Sequence, residues 1–224
     1  LVESRKTKYA RLLVWYPLLI VLSIIFLIPL IFTTSIALTS DVTSTKMDFH
    51  LFPREFYFSN FMRILSDERI LRYLLNSVII TSFAIIGQVF SSSLVAYGFA
   101  CLRGPGKNFL FLLVLATLML PSQVTLIPQF VLFAKLGWVN TFLPLVVPNF
   151  CGHAFNIFLM RQFITRIPSS IFDAARIDGL GFFGIYRKII LPLMKPILAA
   201  IAIFTFNSNW GDFMGPLIYL HDEK

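Results

Sequence analysis

Residues 73–102 read YLLNSVIITSFAIIGQVFSSSLVAYGFACL, with no charged side chain from Tyr73 to Leu102. A candidate membrane span needs only about 18 such positions. In lipid the backbone must satisfy its own N–H and C=O groups, so the stretch is expected to be a helix. Within it Ser92, Ala96 and Ala100 fall four apart, the spacing of small residues that lets two helices approach closely.

The pattern recurs on both sides. Leu12–Ser40, Asn108–Ala134 and Leu136–Met160 are also free of charge. A fifth run, Pro196–Gly211, is shorter; Lys195 can snorkel at its inner end, and the apolar Phe213–Leu220 extends its outer end. The expected fold class is all-α, a polytopic bundle of transmembrane helices forming one domain over residues 1–224. Its five spans are placed at about 12–38, 74–101, 108–133, 141–160 and 192–212. The first follows the basic stretch Arg5, Lys6, Lys8 and Arg11 but is much longer than the roughly 7–15 apolar residues of a signal peptide, so it reads as an anchor.

Composition agrees. Of 224 residues, 57% are apolar and 13% charged, 25 are Phe, and mean hydropathy is +0.80. A water-soluble domain averages about 45–50% apolar and about 25% charged. Disorder needs low hydrophobicity and high charge, so it is excluded as well. The net charge of +8 is no nucleic-acid footprint, because the basic residues fall between apolar runs and not on one soluble face. Cys101 and Cys151 sit in or at the ends of apolar runs without CxxC spacing, and His50, His153 and His221 match no metal pattern.

Lys/Arg bias orients the chain. Segments 1–11, 103–107 and 161–195 hold twelve Lys/Arg against three acids; segments 41–72, 135 and 221–224 hold seven against seven. The first set is expected in the cytoplasm, with the N-terminus inside and residue 224 outside. The extracytoplasmic segment 39–73 contains SDVTSTKMD and the aromatic, amphipathic HLFPREFYFSNFMRIL, suited either to the membrane interface or to a partner.

Prolines mark breaks or kinks. Pro121 and Pro128 bracket SQVTLI at the outer end of the third run, and Pro144 and Pro148 open the fourth. Proline frees a backbone carbonyl, which in a membrane must face protein or a wet cavity. A broken helix beside a pathway and a simple kink or helix start both fit.

No catalytic constellation is present. The chain lacks G-x-S-x-G, H-E-x-x-H and any paired carboxylate inside a span. RGPGKN at 103–108 lacks G-x-x-x-x-G-K-[ST] and reads as a tight cytoplasmic turn. Asp212 lies close to a span's end, where it either serves function or reaches water. A lone His153 in an apolar helix reads as a packed side chain and not as part of an intramembrane enzyme. With no visible means of using ATP, the domain either carries solute alone, as a secondary carrier or channel, or receives energy from a partner.

The cytoplasmic stretch 161–196, RQFITRIPSSIFDAARIDGLGFFGIYRKIILPLMKP, bears on that choice. Ser170 with Asp173 resembles a capping box, and Ser169 is a competing cap. Ile171–Asp178 is expected to be a short helix, ended by Gly179 in the left-handed conformation. A second helical piece, Phe182–Ile190, leads into Leu191-Pro192 and the fifth span. Apolar Ile171, Phe172 and Ile177 beside small Ala174 and Ala175 suit either a groove on another protein or the bilayer surface.

DAARIDG, with Gly179 six positions after Asp173, then nine residues, then Ile189-x-Leu191-Pro192, resembles the EAA loop of ABC-importer permeases. Asp173 stands where that pattern has Glu; it keeps the charge and shortens the reach. LNSVIITS at 75–82, VAYGFA at 95–100, MLPSQVTLIPQF at 119–130, LGWVNT at 136–141 and FLMRQF at 158–163 resemble the maltose-type carbohydrate-uptake permeases, in particular the smaller of their two permease subunits. Where that family commonly has Trp-Asn-Asp-Phe and Trp-Pro, this chain has Trp210-Gly211-Asp212-Phe213 and Gly215-Pro216.

The resemblance implies a multi-pass inner-membrane permease subunit of an ATP-driven importer for sugars or sugar-like solutes, and not an enzyme. It implies a second homologous permease, an ATP-binding cassette ATPase dimer, an extracytoplasmic solute-binding protein and surrounding lipid as partners. No cofactor belongs to this chain; ATP and Mg would be bound by the ATPase. The coupling loop would be 161–191, with Ile171, Phe172, Asp173, Ala174, Ala175, Asp178, Gly179, Ile189, Leu191 and Pro192 in its motif. An introduced Cys at Ala175 would then reach the ATPase. Asn207, Asn209 and Asp212 would border the translocation path. The family continues to a sixth span returning inside, so a chain beginning with Leu and ending at HDEK is expected to be a shortened version without it.

Overall fold

The computed structural model describes residues 5–39 and 56–221. SDVTSTKMD, the HLFPRE part of the aromatic segment and the final Asp222–Lys224 lie outside the described residues. The chain divides into two compact units, Leu1–Tyr73 and Leu74–Lys224. The described residues are helical, with no strand among them.

In the first unit, α1 (Arg5–Ala37) includes the apolar span Trp15–Ala37, whose side chains are mostly exposed. The short α2 (Ser59–Leu65) is tied to its C-terminal end. Asn60 Nδ2 donates to the carbonyls of Ala37 (3.1 Å) and Thr39 (2.9 Å), occupying carbonyls that a helix end leaves free. Asp67 then starts α3 (Glu68–Cys101) by accepting the Arg69 backbone N–H at 2.9 Å. The Arg69 guanidinium also bonds this carboxylate and holds it below its ordinary pKa.

The second unit contains the remainder of α3, from Leu74 on, and the other helices. The run expected as one span over 108–133 is two helices, α4 (Lys107–Ala116, with a 3-10 turn to Met119) and α5 (Ser122–Lys135), crossing at 99°. Pro121 causes the break: the residue before a proline is driven out of the α region, and Leu120 has ψ 115°. Pro128, inside α5, does not end its helix.

The fourth run begins as α6 (Leu143–Val146) and tightens into a 3-10 segment, Val147–Cys151. It opens at Gly152 and extended His153, then resumes as α7 (Ala154–Ile164). The loop helix α8 (Ser169–Ile177) follows. Next come α9 (Phe182–Ile185), a π-helical turn (Tyr186–Ile190) and α10 (Leu191–Leu193). The chain bends by 76° at Met194 into α11 (Lys195–Trp210) and ends in α12 (Met214–Tyr219). The fifth span is therefore bent and not straight. A regular helix would drive the Pro192 ring into the Lys188 carbonyl, and the wider π turn just before it removes that clash.

α7 packs against α4 and α11. The buried core joins Ala96 and Tyr97 of α3, Met160 and Ile164 of α7, Ala175 of α8, Ile190, Met194 and Ile201. Arg161 lies 4.1 Å over the Phe111 ring, a cation–π contact that fixes α7 against α4. At the opposite end Tyr219 packs on Phe133, and its carbonyl accepts the Asn140 N–H at 2.8 Å. Among the described residues, by length and composition, three helices can cross a membrane, or up to five if each bent pair is one span.

Candidate functional site

Two places in the second unit gather polar or accessible groups that a lipid-embedded helix bundle does not need for packing alone. The first is α8. The capping box expected from Ser170 and Asp173 does not form. The helix starts at Ser169 with Pro168 as its N-cap and without a side-chain cap bond. Pro168 at φ −56° already sets the entry turn, and Asp173 then falls beyond the free N–H groups of the first turn. It bonds Arg176 instead, at 3.2 Å, an exposed pair of small energetic value.

The C-terminal end is closed by a complete Schellman motif. Leu180 N–H donates to the Ala175 carbonyl at 3.0 Å and Gly179 N–H to the Arg176 carbonyl at 3.0 Å, with Gly179 at φ +80°. Nothing lies within 4 Å of where a Gly179 Cβ would stand, so the glycine is required for backbone conformation and not for space.

The faces of α8 differ. Ala175 is 3% exposed and belongs to the core, and Phe172 is half-buried beside it. Ile171, Ala174 and Ile177, three apart, form an outward apolar stripe, with Ile177 87% exposed. Phe182 and Phe183 are exposed just beyond. Asp178 is exposed at the C-cap, Ile189 packs against the core, Leu191 is half-buried, and Pro192 follows the π turn.

Two hydrogen bonds tie the segment after α8 to the last turns of α3. The Tyr186 and Ser93 hydroxyls lie 2.7 Å apart in a buried setting, and Tyr97 OH donates to the Phe182 carbonyl at 2.9 Å.

The second place is the break in the fourth run. The Gln88 amide, oriented by its neighbours, accepts from His153 N–H (2.7 Å) and Asn156 Nδ2 (2.9 Å) and donates to the Asn149 carbonyl (3.2 Å). Ser91 Oγ also donates to the Asn149 carbonyl, at 3.2 Å. Polar side chains of α3 thus satisfy the backbone that Gly152 and His153 take out of helical bonding, as a lipid-embedded bundle requires. Gly87 lets the unwound segment come close: a Cβ there would meet the Phe150 ring at 2.5 Å.

Beside this network is a cavity of about 190 Å³, lined by Gln88, Asn149, Asn156, Thr205, Ser208 and Asn209, with His153, Phe155 and Phe204. The Thr205 hydroxyl is buried and has no hydrogen-bond partner among the described residues. Of the three residues read from sequence as bordering a path, only Asn209 lines the cavity. Asn207 is exposed outside it, and Asp212 accepts the Gly215 N–H at 3.1 Å, capping α12. The sequence reading missed Gln88, Asn149, Asn156, Thr205 and Ser208. Their signal was uncharged amides and hydroxyls inside charge-free runs, two of them flanking Gly152. Among the described residues no group of three His, Cys, Asp or Glu is placed to hold a metal ion.

A bent multi-span bundle, with a short capped helix held outside it and a polar opening inside it, is the architecture of a transport permease. The family model for the binding-protein-dependent transport system inner membrane component matches residues 88–222, and the chain belongs to that family, one of transport components and not of enzymes. The arabinooligosaccharides transport system permease protein of Halalkalibacterium halodurans is 40% identical over 66% of this chain and 53% of its own length. The osmoprotective compounds uptake permease protein of Synechocystis sp. is 31% identical over 97% of this chain and 75% of its own. A solved structure of a bacterial ABC transporter that imports the acidic polysaccharide alginate superposes with a TM-score of 0.86 at 27% identity, over all of this chain and 78% of that one. The chain thus spans about half the length of the first relative and about three quarters of the other two.

Proposed function

We propose that the chain is a membrane-spanning permease subunit of an ATP-driven ABC importer for sugars or sugar-like solutes. The ATPase, a cassette dimer that binds ATP and Mg, grips α8 from the cytoplasm. A second homologous permease completes the pathway, an extracytoplasmic binding protein delivers the solute, and the N-terminus is cytoplasmic. The observation that carries the reading is the outward apolar stripe Ile171, Ala174 and Ile177 on a helix closed at its C-terminal end by Gly179. Phe172 and Ala175 fasten the same helix to the bundle from its inner side, so a pull on the outer face is delivered to the core.

The load passes along two routes. α9 and the π turn run directly into the bent fifth span, and the Tyr186–Ser93 and Tyr97–Phe182 bonds reach α3. Both routes end at the helices that line the polar cavity, α3 and α11. Closure of the ATPase would shift the bundle between two arrangements because it binds them unequally. Amide and hydroxyl groups beside Phe155 and Phe204 suit a polyhydroxylated solute, which offers both hydrogen-bonding edges and apolar faces.

Proteoliposomes of the assembled transporter test the reading. With binding protein and sugar outside and ATP inside, uptake is expected to persist when the proton gradient is collapsed and to stop when ATP is withheld. Uptake that follows the proton gradient, or runs without the ATPase, contradicts it and favours a secondary carrier or channel.

A further inference from the structure

Two adjoining concavities sit where α3, the 103–107 turn, the end of α7 and one flank of α8 meet. One, of about 510 Å³, is lined by Arg103, Lys107 and Arg176 together with Ser169, Asp173 and the apolar Leu102, Ile164, Ile167 and Phe172. The other, of about 280 Å³, runs along the apolar flank formed by Val95, Phe99, Leu102 and Leu110. Arg103, Lys107 and Leu102 line both, so an apolar groove along α3 and α4 opens directly into a cationic pocket.

The charge balance in the pocket is uneven. Its one carboxylate, Asp173, is already bonded to Arg176. Lys107 Nζ donates to the Leu102 carbonyl at 2.8 Å, which leaves two of its three donors. Arg103 has no hydrogen-bond or ion-pair partner among the described residues. An anion that accepts several hydrogen bonds satisfies this set. A phosphate does so, and arginine holds it in fork geometry.

The groove chooses between sources of phosphate. A free phosphate has no use for the wall of Val95, Phe99 and Leu110, whereas an acyl chain needs one. We propose that the pocket and groove bind one acidic phospholipid, its phosphate on Arg103, Lys107 and Arg176 and an acyl chain along Val95, Phe99 and Leu110. Bound there, the lipid lies against the flank of α8 that carries Ser169, Phe172, Asp173 and Arg176. The inference needs the helices to be in a membrane; it does not need the importer reading.

Lipid retention measures it. The assembled transporter is purified from membranes containing phosphatidylglycerol, exchanged into detergent with phosphatidylcholine, and retained lipid is counted by native mass spectrometry. One phosphatidylglycerol per copy of this subunit is expected to survive exchange. A charge near a lipid headgroup is worth about 1 kcal/mol, so R103Q/K107Q should lower retention on the order of 30-fold, while K135Q, remote from the pocket, should not. If R103Q/K107Q does not assemble, L110W fills the groove without removing a charge and should also release the lipid.

Equal retention by wild type and both variants overturns the proposal. Loss of the bound species to inorganic phosphate, with no effect of L110W, assigns the site to a free anion and overturns the lipid assignment. Retention that appears only after the ATPase is stripped off shows that a segment of that protein occupies the pocket, and overturns it too.

Discussion

Gly179 shows how one residue controls the proposed handle. At φ +80° a side chain beyond Cβ is costly, on the order of 1–3 kcal/mol, and a β-branched one most of all. G179V should abolish transport while leaving membrane insertion intact, and G179N, which tolerates the left-handed region, should retain most of it. Uptake in membranes carrying equal amounts of each variant checks this; wild-type uptake by G179V contradicts it. Gln88 governs the interior in the same way. Q88L would take away the acceptor of the Asn156 amide and leave the His153 N–H only its 3.4 Å contact with Ser92 Oγ, while the Asn149 carbonyl keeps the bond from Ser91 Oγ; a buried group left unpaired costs about 1–3 kcal/mol. A clearly lowered melting temperature of the purified complex is expected, with Q88E less affected than Q88L because a carboxyl still accepts from His153 and Asn156.

At the scale of the element, α8 presents one buried and one exposed face, to which the proposal gives different tasks. Ala174→Cys and Ile177→Cys should react with a water-soluble maleimide when the ATPase is absent, and Ala175→Cys should not, since it points into the core. I177D should weaken recovery of the ATPase with the permease by about 10-fold or more, because burying an isoleucine is worth roughly 1.5–3 kcal/mol and a carboxylate there opposes it. Unchanged recovery would remove the apolar stripe from the contact. The sequence motif locates this helix, and the left-handed glycine after it is legible from residue type alone. Which face turns inward is not, because Phe172 and Ala175 differ from Ile171 and Ala174 only in what the rest of the bundle brings against them. The same limit applies to the bends. Each proline is visible in the sequence, yet Pro121 ends its helix and Pro128 does not, and the 76° turn at Met194 depends on the π turn upstream.

For the whole molecule, long charge-free runs make the membrane helices readable with no structure at all, because lipid leaves the backbone so few alternatives. The cavity is another matter. Gln88, Asn149, Asn156, Thr205 and Asn209 are far apart in sequence, and only the packing of α3, the fourth run and α11 assembles them. Asp212, the one acid near a span's end, drew notice for its charge but caps a short helix. Tyr186 and Tyr97 tie the segment after α8 to α3, the helix that also carries Gln88, and in the proposed reading this link would carry a pull on α8 toward the cavity. Y186F should therefore lower solute moved per ATP hydrolysed more than it lowers ATPase assembly; an unchanged ratio would leave the π-turn route as the only one.

The central claim is that a separate ATPase grips the outward face of α8. Ile177→Cys crosslinking in the assembled complex tests it directly. A covalent adduct with the ATPase, forming at Ile177 and Ala174 but not at Ala175, is the predicted result. Labelling of Ile177→Cys by a lipid-soluble probe, with no ATPase adduct at either outward position, would contradict it.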